Sequence, residues 1–151
     1  MQDKSISSSQ LGWGTIYNSE NAKDLDETGE TAAIRHTIND IYSPEKQKFL
    51  GENVSYLDSI IQICQNHNAK VIFVTTPAYK TYREHLNEEQ LNIMLKTVNK
   101  ITNDYSNCTY INLLADSTFV STDYYDADHL SEIGAEKLSL LINRYIEESE
   151  K

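Results

Sequence analysis

Residues 70–79, KVIFVTTPAY, decide the fold. The run from Lys70 to Thr76 is short, apolar and rich in β-branched residues, and Pro77 stops it. This is the pattern of a parallel-sheet strand covered on both faces. A second run of the same kind, TYINLL, occupies 109–114. Between the two, Asn87 with Gln90 three residues on makes a capping pattern, and Leu91, Met94, Leu95, Val98 and Ile101 continue at helical spacing. Ahead of the first strand, Ser43-Pro44-Glu45 reads as N-cap, first-turn proline and dipole-favoured acid. Phe49, Leu50, Val54, Leu57, Ile60, Ile61 and Cys64 then recur on one stripe, which predicts a helix over 44–66 that Asn66-His67-Asn68 can end. After the second strand, Ser131 can cap a last helix carrying Ile133, Leu138, Leu141, Ile142 and Tyr145 on one side. The order helix, strand, helix, strand, helix is that of a layered α/β domain with parallel crossovers.

Upstream of this core, residues 1–42 hold a serine cluster, GWG at 12–14 and the acidic run ENAKDLDETGE. No period of 2 or 3.6 is sustained there, so the segment is expected to be an irregular acidic arm or loop region, with 43–151 as the C-terminal portion of one α/β domain.

Composition narrows the function classes. A chain of 151 residues is about one domain, and its net charge of −10 with a pI near 4.7 would be repelled by nucleic acid or an anionic lipid surface. No nucleic-acid partner is expected. The N-terminus MQDKSISSSQ lacks an apolar signal-peptide core, and VIFV is far too short to cross a bilayer. Cys64 and Cys108 lack CxxC spacing and a nearby histidine pair, so they read as small apolar residues rather than zinc ligands, with a disulfide possible in an oxidising compartment. No metal and no cofactor is expected.

In open α/β sheets ligands sit beyond the carboxyl ends of the strands. That rule directs attention to two loops, TPAYKTYREHL after the first strand and ADSTFVSTDYYDADHL after the second. In the second loop, Asp126 stands three residues before His129. A carboxylate at that spacing can fold back in a tight turn onto one ring nitrogen and leave the other to take a proton from a nucleophile. Asp128, adjacent to His129, starts in a different direction and is the weaker candidate for orienting the ring. The alternative is a solvated acidic turn in which Asp128 or Ser131 caps the helix. A metal held by Asp126, Asp128 and His129 lacks a second ligand cluster. In the first loop, Tyr79, Tyr82 and Arg83 can stack on or hydrogen-bond a sugar, with packing at the rim as the alternative. His36 and His67 read as surface groups; His85, in the loop beyond the first strand, can touch substrate there, with a solvated histidine as the alternative.

The segments VIFVTTPAY and YINLLADSTFVSTDYYDADHLSEIGAEKLSLLI, with an Asp-x-x-His-Leu block followed by a Gly-Ala helix start, resemble the closing half of the SGNH (GDSL-like) hydrolase superfamily. The branch they are most similar to includes envelope polysaccharide O-acetyltransferases and D-alanyl transfer proteins. The resemblance implies a partial three-layer α/β/α, flavodoxin-like fold with a short parallel sheet, its first strands missing. It also implies that Asp126 and His129 are the Asp and His of a catalytic triad, and that the parent protein is extracytoplasmic and membrane-tethered. The family's Gly-Asp-Ser block and its oxyanion donors have no counterpart here: SISSSQ at 5–10 and HTIND at 36–40 do not supply them. The nucleophilic serine is therefore expected upstream of Met1, in another half of the same polypeptide, and this chain alone is expected to be inactive. Two function classes follow. One is a serine-dependent ester hydrolase or O-acyltransferase acting on acylated carbohydrate or another small ester. The other is a non-catalytic carbohydrate-binding or assembly module of the same fold.

Overall fold

The computed structural model describes residues 16–149; SISSSQ and GWG lie outside the described residues. The chain is mixed α/β. After a single turn at Ser19–Asn21 come α1 (Leu25–His36), α2 (Pro44–Asn66), β1 (Val71–Thr75), α3 (Lys80–Glu84), α4 (Glu88–Asp104) and β2 (Cys108–Asn112). A turn at Ser121–Asp123 leads to β3 (Tyr124–Asp126), β4 (His129–Leu130) and α5 (Glu132–Ser149). No helix among the described residues is long and apolar enough to cross a membrane. Two compact units interleave along the sequence: one takes Ile34–Thr75 and Leu86–Leu113, the other the described residues up to Ala33, then Thr76–His85, then those from Leu114 onward.

The first unit holds the parallel pair of β1 and β2, in register from Val71 opposite Cys108 to Thr75 opposite Asn112. Its helices start where their caps dictate. Ser43 Oγ accepts the Lys46 N–H at 3.4 Å ahead of Pro44, and Asn87 Oδ1 accepts the Gln90 N–H at 2.9 Å. Helix α2 ends as Asn68 turns left-handed, with φ of 55°, and the Ala69 N–H returns to the Cys64 carbonyl at 2.8 Å. Ile61, Val98, Ile101 and Ile111 form the buried centre. The expectation that the first strand is covered on both faces needs correction: β1 is only half-buried at every position. Among the described residues its one strand partner is β2, and a cleft of about 470 Å³, lined by Phe49, Leu50, Phe73, Met94 and Tyr110, lies beside it. At the cleft wall the Thr75 and Tyr110 hydroxyls satisfy each other at 2.7 Å.

In the second unit a helix appears where an irregular segment was expected. Asp24 Oδ1 accepts the N–H groups of Asp26 at 2.8 Å and Glu27 at 3.0 Å and so starts α1. The inward positions of α1 are Gly29, Ala32 and Ala33, which bury backbone and methyl groups and leave no stripe of large apolar residues to announce it. A Cβ at Gly29 would lie 2.3 Å from Thr81 Oγ1 and 2.6 Å from the Thr81 carbonyl carbon; Thr81 Oγ1 itself donates to the Leu25 carbonyl at 2.6 Å. The loops that follow β1 and β2 in sequence meet here: the Ala78 N–H donates to the Leu114 carbonyl at 3.3 Å and the Tyr79 N–H to the Ala127 carbonyl at 2.9 Å.

Candidate functional site

The Asp126–His129 pair is built by a two-stranded antiparallel hairpin. Strands β3 and β4 place Tyr124 opposite Leu130 and Asp126 opposite His129, with an irregularity between Tyr124 and Asp126. Only Ala127 and Asp128 join them, and Ala127 is fully buried, its N–H bound to Thr28 Oγ1 at 3.1 Å. Asp126 Oδ1 gathers three donors: the backbone N–H groups of Asp128 at 3.3 Å and His129 at 2.9 Å, and His129 Nδ1 at 2.8 Å. An aspartate that accepts from its own chain two and three residues on closes such a turn. The same oxygen that shapes the loop therefore holds the imidazole. Asp128 Oδ1 stands farther from Nδ1, at 3.3 Å.

Accessibility differs sharply within the pair. Asp126 is 6% exposed, whereas the His129 side chain is 41% exposed, and its Nε2 has no hydrogen-bond partner among the described residues. Burial pushes the Asp126 carboxyl up, but the hydrogen bond from His129, its charge and the bonds from Asp128 outweigh that and hold it below the ordinary range. Donor atoms of Asp126, Asp128 and His129 all lie within 4.8 Å of one another, close enough to share a cation. Nδ1, however, is already engaged by Asp126, so a cation taking that nitrogen would have to break the bond.

The hairpin is anchored from behind. Ser131 caps α5, its carbonyl accepting the Ala135 N–H at 2.8 Å and its Oγ the Gly134 N–H at 3.4 Å, while Oγ donates to the Thr122 carbonyl at 3.2 Å. Asp123, 3% exposed, is paired with Lys137 Nζ at 2.7 Å and accepts the Val120 N–H at 2.9 Å.

Tyr79, Tyr82 and Arg83 are all half-buried in the same unit, but none is bonded to Asp126 or His129 among the described residues. The Tyr79 ring packs edge-on against Tyr124, with centroids 5.6 Å apart, and its N–H ties the first loop to the histidine loop. Arg83 Nε is buried with no hydrogen-bond partner among the described residues. Tyr124 is pushed up to about 12, by burial first, against the opposing charge of Arg83. Asn39 of HTIND is exposed and belongs to the other unit, and Thr75 is bonded to Tyr110 there. Cys64 and Cys108 are free thiols, and burial, followed by the neighbouring Cys64, pushes Cys108 up, away from the reactive thiolate. His36, His67 and His85 are exposed, with His85 Nδ1 bonded to the Thr81 carbonyl at 2.7 Å.

Three residues from the start of the described chain carried no signal in the sequence. Tyr17 stacks on the His129 ring with centroids 4.9 Å apart and planes 10° off parallel, and Lys23 Nζ lies 3.8 Å from Asp126 Oδ2. Ser19 is bonded twice to Glu132. Tyr17, Ser19 and Lys23 sit about a hundred residues upstream of the DADH block, and only the fold brings them to it.

A family model described as "Protein of unknown function (DUF1574)" matches residues 8–145. No curated protein and no solved structure matches the chain.

Proposed function

We propose, from the premise that the chain belongs to the DUF1574 family, that it is the C-terminal part of a serine-dependent SGNH-type ester hydrolase or O-acyltransferase and supplies the Asp and His of its triad. The observation that carries this reading is the Asp126 Oδ1 to His129 Nδ1 bond of 2.8 Å on a half-exposed imidazole whose Nε2 has no partner among the described residues. Asp126 fixes the tautomer with the proton on Nδ1. Nε2 is then a base that takes the proton of a serine hydroxyl as it attacks an ester carbonyl, and returns it to the leaving alcohol. Water or an acceptor hydroxyl next attacks the acyl-enzyme, losing its proton to Nε2, which passes it to the serine oxygen as the acyl–serine bond breaks. The serine and the oxyanion donors belong to an upstream half of the same polypeptide, which would complete a three-layer α/β/α sheet around β1 and β2. The substrate class is acylated carbohydrate of the cell envelope, which sets the parent protein outside the cytoplasm. Tyr79, Tyr82 and Arg83 contribute to the sugar subsite, and no cofactor takes part.

A serine-directed fluorophosphonate probe tests the assignment. The 151-residue chain is expected to remain unlabelled, and the longer protein to be labelled at one upstream serine. His129→Ala in the longer protein should abolish most of that labelling, and Asp126→Asn should lower turnover by leaving the imidazole in the wrong tautomer. Strong labelling of the 151-residue chain, or activity that survives His129→Ala, would overturn it.

A further inference from the structure

The stretch from Tyr17 to Lys23 is fastened over the Asp126–His129 pair at both ends. At one end the Ser19 N–H donates to Glu132 Oε2 at 2.7 Å and Ser19 Oγ to Oε1 at 2.5 Å. At the other, the Lys23 N–H donates to the Tyr125 carbonyl at 2.7 Å, while Lys23 Nζ sits 5.1 Å from the centre of the Tyr125 ring. Asn18 Oδ1 accepts the Asn21 N–H at 3.1 Å and keeps the span between them in one tight turn. These fastenings place Tyr17 flat on the imidazole and edge-on to Tyr125, with centroids 4.9 Å apart in each case.

A hydrogen bond through Nδ1 alone leaves a ring free to swing about that bond, and a swinging base spends little time aimed at its proton. An aromatic plane stacked on the ring removes that freedom. We propose that Tyr17 is a positioning residue for His129, carried on a strap that the Ser19–Glu132 bonds and the Lys23 backbone hold closed. The proposal rests on the catalytic reading above for its purpose but not for its geometry. Tyr17 fixes the plane of the base, while the turn's own N–H groups hold the acid that orients it.

Two measurements test it. In the proton NMR spectrum of the 151-residue chain, the ring protons of His129 should lie upfield under the Tyr17 ring current. They should stay there in Tyr17→Phe, move downfield in Tyr17→Ala, and move partway in Ser19→Ala. Tyr17 is 45% exposed, so its truncation leaves the fold intact, and the unchanged resonances of Ile61 and Ala127 check this. In the longer protein that carries the serine, Tyr17→Ala should lower kcat about tenfold with little change in KM, and Tyr17→Phe should restore it. Unmoved His129 resonances in Tyr17→Ala overturn the stacking, and a raised KM with unchanged kcat overturns the positioning role by making Tyr17 a substrate contact. If His129→Ala leaves activity intact, the catalytic reading falls, and the ring shifts still decide whether the strap sets the imidazole.

Discussion

A Cβ placed on Gly134 would lie 2.0 Å from the Asp123 carbonyl oxygen and 2.9 Å from its carbon. Both are backbone atoms of the segment leading into the hairpin, so α5 cannot keep its place with any larger residue there. Gly134→Ala should cost about 2–3 kcal/mol, whereas Gly51→Ala in α2, where nothing lies within 4 Å, should add roughly 0.5–1 kcal/mol; urea midpoints separate the two. Asp126 gives a second expectation. Its native carboxyl is held below the ordinary value of about 4, so the unfolded chain binds that proton first as pH falls. Its stabilising share is present above about 4 and lost as pH falls through the lowered native value. Urea melts at neutral and acid pH should show a shallower acid dependence in Asp126→Asn than in the wild type. The spacing of Asp126 and His129 and the smallness of Gly134 were legible because each acts on near neighbours in sequence. Tyr17 and Lys23 were not, because nothing around them distinguishes a ring stacked on a distant histidine from any exposed tyrosine.

Elements were legible where caps and large apolar residues agree. Helix α2 begins and ends where Ser43-Pro44 and Asn66-His67-Asn68 place it, and Asn87 marks the start of α4. Helix α1 escaped because its buried positions are glycine and alanine, and α3, with only five residues, is too short to show a period. β1 and β2 were placed to within a residue or two, but apolar content alone did not reveal that β1 would be half-buried. The caps make a test at this scale. Asn87→Ala removes the acceptor of the Gln90 N–H and should destabilise by about 1 kcal/mol, while Asn87→Ser should retain most of that, measured by thermal or urea unfolding.

At the scale of the molecule, the two units use the chain differently. The unit containing β1 and β2 lies wholly within residues 34–113, whereas the unit containing the Asp126–His129 pair draws on both ends of the described chain. A polypeptide of residues 34–113 should therefore keep the parallel pair, and hydrogen exchange should find the amides of β1 and β2 still protected from Val71 to Thr75 and from Cys108 to Asn112. Rapid exchange at those amides would show that β1 and β2 depend on the rest of the chain. The sheet, an affair of neighbouring segments, was open to sequence reasoning; the unit assembled from distant ends was not.

The Ser19–Glu132 fastening spans 113 residues. On the ribosome Tyr17 and Lys23 emerge about a hundred residues before their partners Tyr125, Asp126 and His129. The strap must then find its clamp by closing the longest loop between contacting residues at the site, a slow kind of event compared with forming α2 or α4. A nascent chain halted before Glu132 can fold its parallel strands but cannot close the strap over the imidazole, so ordering of the base waits until Glu132 has been made.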